Sequence, residues 1–66
     1  MAYDVFHLDG GTIGVKCSPG AFVHYRWNFE KAKWTVDEDP ERQEFTSENE
    51  ALNRARVIGG DPDLDV

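Results

Sequence analysis

The stretch from Trp34 to Ile58 reads WTVDEDPERQEFTSENEALNRARVI, and its second half carries the signals of a helix. Ser47 and Glu50 have the spacing of a capping box, in which the Ser hydroxyl accepts a free amide of the first turn and the Glu side chain reaches back to the Ser amide. The glycine pair at 59–60 supplies the left-handed residue that commonly ends a helix. We therefore predict a helix that begins at Ser47 and ends at this pair.

One face of the predicted helix is apolar. Its apolar residues recur at the spacing of a 3.6-residue period and form a single stripe, which consists of Ala51, Leu52, Ala55 and Ile58. Glu50 and Arg54 lie four positions apart with the acid first, so we expect them to pair on the solvent side. The stripe needs a second layer to cover it, and the upstream chain has the pattern of a sheet.

The first two predicted strands alternate, as a half-buried sheet requires. They span 2–8 and 12–18, and the Asp-Gly-Gly between them is typical of a two-residue hairpin turn. In either two-residue register, Phe6 and Leu8 share a face with Ile13 and Val15. This pairing would leave Tyr3, Val5 and His7 on the opposite face.

The third and fourth strands are predicted from the same alternation. A bulge or three-residue loop at 18–20 would place Val23, Tyr25, Trp27 and Phe29 on the core face, because the hydrophobic pattern fixes the register. Phe22, His24, Arg26 and Asn28 would then point away from the core. We expect Trp34 and Val36 to lie opposite Phe29 and Trp27, with the two Trp anchoring the core. On the far face, Arg26 would lie across from Asp37.

These elements predict an α+β fold. An antiparallel β-sheet of three to four strands, in β-β-β-β-α order, packs on one C-terminal helix, and Phe45 tucks under the sheet just before that helix. With 66 residues there is room for one domain, which we place at 1–60, followed by an acidic flexible tail at 61–66.

The charge balance is strongly acidic. Thirteen acidic and seven basic side chains give a net charge of −6, which repels nucleic acid. Solubility, adaptation to a saline cytoplasm and mimicry of nucleic-acid charge each explain this balance. The acidic surface is concentrated in a turn that contains Asp37, Glu38, Asp39 and Glu41. The lone Cys17 and the lack of a long apolar run favour a cytoplasmic setting without membrane contact.

Catalytic and metal sites have little support in the sequence. Cys17, His7 and His24 lack the short spacing of a zinc site, and Cys17 is expected to face the core while both His face away. Nucleophilic catalysis needs a base within hydrogen-bond reach of the nucleophile. We therefore predict no cofactor, no metal, no small-molecule substrate and no enzymatic activity.

The uncovered sheet face is the best candidate for function. Aromatic, basic and apolar side chains mix there, a composition typical of protein interfaces. The candidate partner-binding residues are Tyr3, Lys16, Phe22, His24 and Arg26. We predict a non-enzymatic binding module that contacts a protein partner or a second copy through this face. The alternative is a phage-type inhibitor whose acidic surface occupies a basic nucleic-acid-binding protein, and a third hypothesis is weak nucleic-acid binding by the sheet face.

The segment from His24 to the end of the helix resembles the YegP-like domains, which are short domains of unknown function. The similar features are Arg26-Trp27 in a strand, the strand at 34–36, and Phe45-Thr46-Ser47 before a helix, about forty residues in all. This resemblance implies a small sheet-plus-helix domain, often paired. The same pattern is also similar to the three-stranded DNA-binding domains of phage integrases and plant ethylene-response factors. Those sheets are dense in Arg and Trp, whereas here acidic residues surround Arg26.

Overall fold

A computed structural model describes residues 3–17 and 22–60. Five strands and one helix follow in order: β1 (Tyr3–His7), β2 (Thr12–Cys17), β3 (Phe22–Asn28), β4 (Lys33–Val36), β5 (Glu44–Phe45) and α1 (Glu48–Gly59). The strands form one antiparallel sheet in the order β1-β2-β3-β4-β5, and α1 packs against it. The predicted α+β fold is confirmed, with a short fifth strand added. The predicted turn at 18–20 and tail at 61–66 lie outside the described residues.

The helix begins and ends as predicted. The Ser47 hydroxyl accepts the backbone N–H of Glu50 at 3.3 Å, and the Glu50 carboxylate accepts the hydroxyls of Thr46 and Ser47 at 3.1 Å each. At the other end, Gly60 takes the left-handed conformation with φ 76°, which glycine adopts without steric cost. The part of the chain that the structure describes contains one α-helix, which is twelve residues long. It is neither long nor apolar enough to cross a membrane.

The core lies between α1 and the sheet. Ala51 and Ala55 of the predicted stripe are fully buried, and Leu52 and Ile58 pack beside them. The sheet contributes the other buried residues, Ile13, Val15, Cys17, Val23, Tyr25 and Val36. Burial of Cys17 was predicted. The two small Ala side chains let the helix approach the strands closely, so β-branched residues and Tyr25 fill the interior.

The central register is confirmed. Ile13 pairs with Tyr25 and Val15 with Val23, which places these four side chains toward α1. The β1–β2 register is one residue from the predicted one, because Val5 pairs with Val15 and His7 with Ile13. A two-residue hairpin is replaced by a longer loop with a 3₁₀ turn at Asp9–Gly11. A shift of one residue exchanges the faces.

This exchange corrects the predicted faces of β1. The residues expected inside, Phe6 and Leu8, lie on the open face, while Tyr3, Val5 and His7 lie on the helix side. The expectation that both His face away from α1 is therefore wrong for His7.

The β3–β4 register is shifted by two residues. Trp27 pairs with Trp34 and Tyr25 with Val36, so Phe29 lies beyond the strand and is 86% exposed rather than inside the core. The Asn28 side chain explains the shift, since its Oδ1 accepts the backbone N–H groups of Glu30 and Lys31 at 3.0 and 3.2 Å. This turn begins the loop one residue earlier than predicted. The two Trp are half-buried and flank the core rather than anchor it.

Candidate binding surface on the open sheet face

Four of the five predicted partner-binding residues lie on the open face, the side of the sheet away from α1. They are Lys16, Phe22, His24 and Arg26. The expected face of Tyr3 is wrong: its side chain lies on the helix side, where the guanidinium of Arg56 lies 4.3 Å from the ring centroid. Phe6 and Leu8 occupy the open face instead and are 45% and 42% exposed.

Three aromatic rings cross the open face in a row. The Phe6 and Phe22 centroids are 5.8 Å apart, and the Phe22 ring stacks on the His24 imidazole with a centroid distance of 4.8 Å and an interplanar angle of 5°. We call Phe6, Phe22 and His24 the aromatic strip. Stacking of this kind contributes about 1 kcal/mol beyond the area that it buries. The rings therefore hold one another in place before any partner arrives.

Gly14 provides the space in which Phe22 lies. A Cβ atom at this position would overlap the edge of the Phe22 ring and would lie 3.4 Å from Leu8 Cδ1. Gly is unfavourable inside a strand and often marks the close approach of another group. The glycine in the middle of β2 was thus the sequence signal for this contact. The regular alternation of its neighbours made Gly14 read as an ordinary outward-facing position, so the contact was not predicted.

Glu38 fixes His24 at two points. Its Oε1 accepts the backbone N–H of His24 at 2.7 Å, and its Oε2 lies 2.7 Å from the ring Nδ1. Because an ionised carboxylate can only accept, Nδ1 carries the proton in this contact. Burial opposes ionisation of Glu38, but the backbone and ring hydrogen bonds from His24 outweigh it, and the pKa of Glu38 lies below its usual range. The imidazole is therefore oriented on the face.

Arg26 continues the row beyond His24 and is paired with Asp37. Its Nε donates to Asp37 Oδ1 at 2.9 Å, and its Nη2 donates to Oδ2, which makes a bidentate contact. The hydrogen bonds and charge of Asp37 raise the pKa of Arg26. The predicted charge pair is present. It is diagonal, since Arg26 lies directly across from Thr35.

The predicted acidic surface is smaller than expected. Asp39 is buried, and its carboxylate accepts Arg54 Nη2 at 2.9 Å and the backbone N–H groups of Glu41 and Gln43 at 2.9 and 3.1 Å. Glu41 lies 3.7 Å from the same guanidinium. The prediction that Asp39 is exposed is wrong, as is the predicted pairing of Arg54 with an acid on its own helix. A contact across fifteen residues leaves no local sequence signal.

The two His lie apart from Cys17 in different ways. His7 shares the helix side with Cys17 but pairs with Ile13, four residues away along β2. Cys17 is fully buried on the helix side, whereas His24 lies on the open face. Within 3–17 and 22–60, no three His, Cys, Asp or Glu side chains are grouped so that they could hold a metal ion. The Glu38–His24 pair is the arrangement closest to a catalytic dyad, and its other ring contact is the stacked Phe22.

Comparison with protein-family models, with curated proteins and with solved structures found no match. The resemblance to the YegP-like domains therefore stays a prediction. The functional argument rests on the geometry of the open face.

Proposed function

We propose that this chain is a small, non-enzymatic binding module that contacts a partner protein through the aromatic strip of its open face. One observation carries the proposal: Phe6, Phe22 and His24 are stacked on the side of the sheet opposite α1, and within the described part of the chain the two Phe remain more than two-fifths exposed. Aromatic side chains with a fixed orientation are typical anchors of protein interfaces, because little conformational entropy is lost on binding.

The charges around the strip support apolar recognition. Arg26 is neutralised by Asp37, and Glu38 is engaged by His24. A nucleic-acid strand needs cations that are available to its phosphates. The exposed Lys16 beside Phe22 lies directly across from Asp4, so an acid adjoins this cation. A partner protein with apolar side chains fits this surface better than a polyanion does. We expect its binding to change little with salt, since screening acts on charge contacts.

The alternative of an acidic mimic has weaker support. Asp39 is buried against Arg54, while the carboxylates of Asp37 and Glu38 form hydrogen bonds with Arg26 and His24 of the same molecule. An acidic inhibitor needs carboxylates that project toward a basic partner. Non-enzymatic action is supported by the positions of the candidate bases. The Cys17 thiol is buried on the side opposite to the oriented His24, and His7 pairs with Ile13, four residues along β2 from Cys17.

The experiment is site-specific photo-crosslinking in a lysate of the source organism, with a benzophenone side chain at position 16 on the open face. Captured proteins are compared for the parent chain, for Phe22→Ala and for Phe29→Ala. Phe29 is the matched control, because the same substitution removes an exposed ring outside the strip. Each captured protein is then purified and its affinity measured at low and high salt.

The proposal requires one partner that Phe22→Ala loses and Phe29→Ala keeps, with an affinity that varies less than about tenfold across the salt series. Capture that both variants retain would contradict it. A steep loss of affinity with salt would favour the acidic mimic. Capture of a second copy alone, lost in Phe22→Ala and kept in Val5→Pro, would reassign the face to self-association.

A further inference from the structure

Within residues 3–17 and 22–60, β1 is an edge strand of the sheet. It pairs with β2 on one side only, as the first strand in the sheet order, and its register is uninterrupted. Natural proteins blunt such edges with Pro, a bulge or charged side chains, especially Lys. Tyr-Asp-Val-Phe-His contains no Pro or Lys and no bulge, and Asp4 is its one acidic residue. Val5 on the helix side and Phe6 on the open face are both more than two-fifths exposed. The edge therefore offers apolar side chains on both faces of the sheet.

The hydrogen-bond pattern tells which backbone groups of β1 face outward. The N–H of Leu8 donates to the C=O of Thr12 at 2.9 Å, so Leu8 points its backbone groups toward β2. In an antiparallel ladder this direction alternates along the strand. Asp4 and Phe6 thus bond to β2, and the N–H and C=O groups of Tyr3, Val5 and His7 point away from the sheet.

A second ladder gives the same assignment. The N–H of Asp37 donates to the C=O of His24 at 2.8 Å, so His24 points toward β4 and its neighbours Val23 and Tyr25 point toward β2. The β2 residues opposite those neighbours then bond to β3, which leaves Gly14 and its alternates for β1. Phe6, the partner of Gly14, accordingly faces β2.

We infer that β1 pairs antiparallel with β1 of a second copy, centred on Val5. In this register Val5 lies opposite Val5 of the other copy, and Tyr3 lies opposite His7 in both directions. Each of these pairs exchanges two backbone hydrogen bonds, so all three outward-facing residues of β1 are satisfied. A register centred on Phe6 would place Tyr3 opposite Asp9 in the turn. Fewer of the outward-facing N–H and C=O groups of β1 would then be paired.

The second copy fits because the strand is complementary to itself. With Val5 at the centre, Asp4 lies opposite Phe6, and no like charges face each other directly. The two-fold axis is perpendicular to the sheet, so both helices stay on one side and the open faces join on the other. The dimer does not depend on the proposed partner. It would place two aromatic strips on one continuous surface.

The interface is small, and this predicts its behaviour. One strand per copy buries less than about 1,200 Å², the range of weak and transient contacts. Each copy also carries a net charge of −6, so repulsion opposes association and salt relieves it. We expect a weak dimer that strengthens with salt, whereas a contact held by ion pairs would weaken.

The test combines sedimentation velocity with amide hydrogen exchange over a concentration series up to about 1 mM, at low and high salt. We expect dimerisation together with exchange protection that rises with concentration at Tyr3, Val5 and His7. Asp4 and Phe6 are protected at every concentration because they bond to β2. This alternation is specific to edge pairing. A monomer throughout, or a dimer protected elsewhere, would overturn the inference.

Val5→Pro is the decisive variant. Pro lacks the outward N–H and is tolerated where an edge N–H faces solvent, so β1 still pairs with β2. We expect at least a tenfold weaker dimer, while Val5→Thr, which keeps the N–H and the β-branch, dimerises as the parent does. His24→Ala removes a residue of the aromatic strip on β3, two strands from the edge, and should leave the dimer unchanged, which separates this inference from the proposed partner site. Unchanged dimerisation of a folded Val5→Pro chain would also overturn it.

Discussion

The Arg54 guanidinium donates from Nη2 to the buried carboxylate of Asp39 at 2.9 Å and so joins α1 to the turn between β4 and β5. The same carboxylate accepts two backbone N–H groups of that turn. The buried carboxylate of Asp39 therefore holds the turn between β4 and β5 in place against α1. Burial of such a charge is tolerated only where partners satisfy it. The hydrogen bond from Arg54 lowers the pKa of Asp39 most, and the backbone N–H groups add to it.

We expect Asp39→Ala to lower the free energy of unfolding by roughly 2 to 3 kcal/mol, because three donors lose their acceptor. Urea unfolding followed by Trp fluorescence measures this loss. Asp37→Ala is the matched control, since its pair with Arg26 is partly exposed and contributes at most about 1 kcal/mol. Equal losses for the two variants would contradict the assigned role of Asp39.

Acid should weaken the fold through the same residue. The pKa of Asp39 in the folded protein lies below its ordinary value of 3.8, so the ionised form is favoured by folding. Its contribution is complete above that ordinary value and is lost as the pH falls through the folded pKa. Urea unfolding at a series of acidic pH values should show this decline, and Asp39→Asn should decline less steeply. A parallel decline in both chains would assign the acid sensitivity to other carboxylates.

A strand register can be predicted from sequence when only one of the two alternating sets of side chains is apolar. In β2 and β3, one alternating set is apolar and the other contains Gly14, Lys16 and Arg26, so only one register buries a core. In β1 each set mixes apolar and polar residues, with Val5 and His7 on one side and Phe6 and Asp4 on the other. The pattern then has no preference, and the geometry of the loop decides the register.

The candidate site was predictable only where it follows from that register. Phe22, His24 and Arg26 were placed on the open face by the alternation of β3. Two contacts of the site join residues that are far apart in the sequence. Glu38 and His24 are fourteen positions apart, and Asp39 and Arg54 are fifteen. Side chains in a turn have no periodic pattern, so neither contact could be inferred from spacing.

Removal of the Glu38 side chain should change the hydrogen exchange of one group, the backbone amide of His24. Glu38→Ala takes away the acceptor of the His24 backbone N–H, so we expect this amide to exchange much faster with solvent while the core amides keep their protection. The loss of unfolding free energy should be about 1 kcal/mol. Glu38→Gln keeps a carbonyl acceptor and should retain most of the protection. An amide that stays protected in the Ala variant would show that another group holds it.

Gly14 and Phe22 should be coupled, because the ring occupies the space that a side chain at position 14 would need. Gly14→Ala displaces the ring, so we expect a loss of roughly 1 to 3 kcal/mol in the free energy of unfolding and disappearance of the ring-current shift that Phe22 imposes on His24. In a Phe22→Ala background the same substitution should have little effect. The double-mutant cycle by urea unfolding then gives a coupling above about 0.5 kcal/mol. Additive effects would mean that Phe22 does not lie over Gly14 in solution, and the aromatic strip would lose its support.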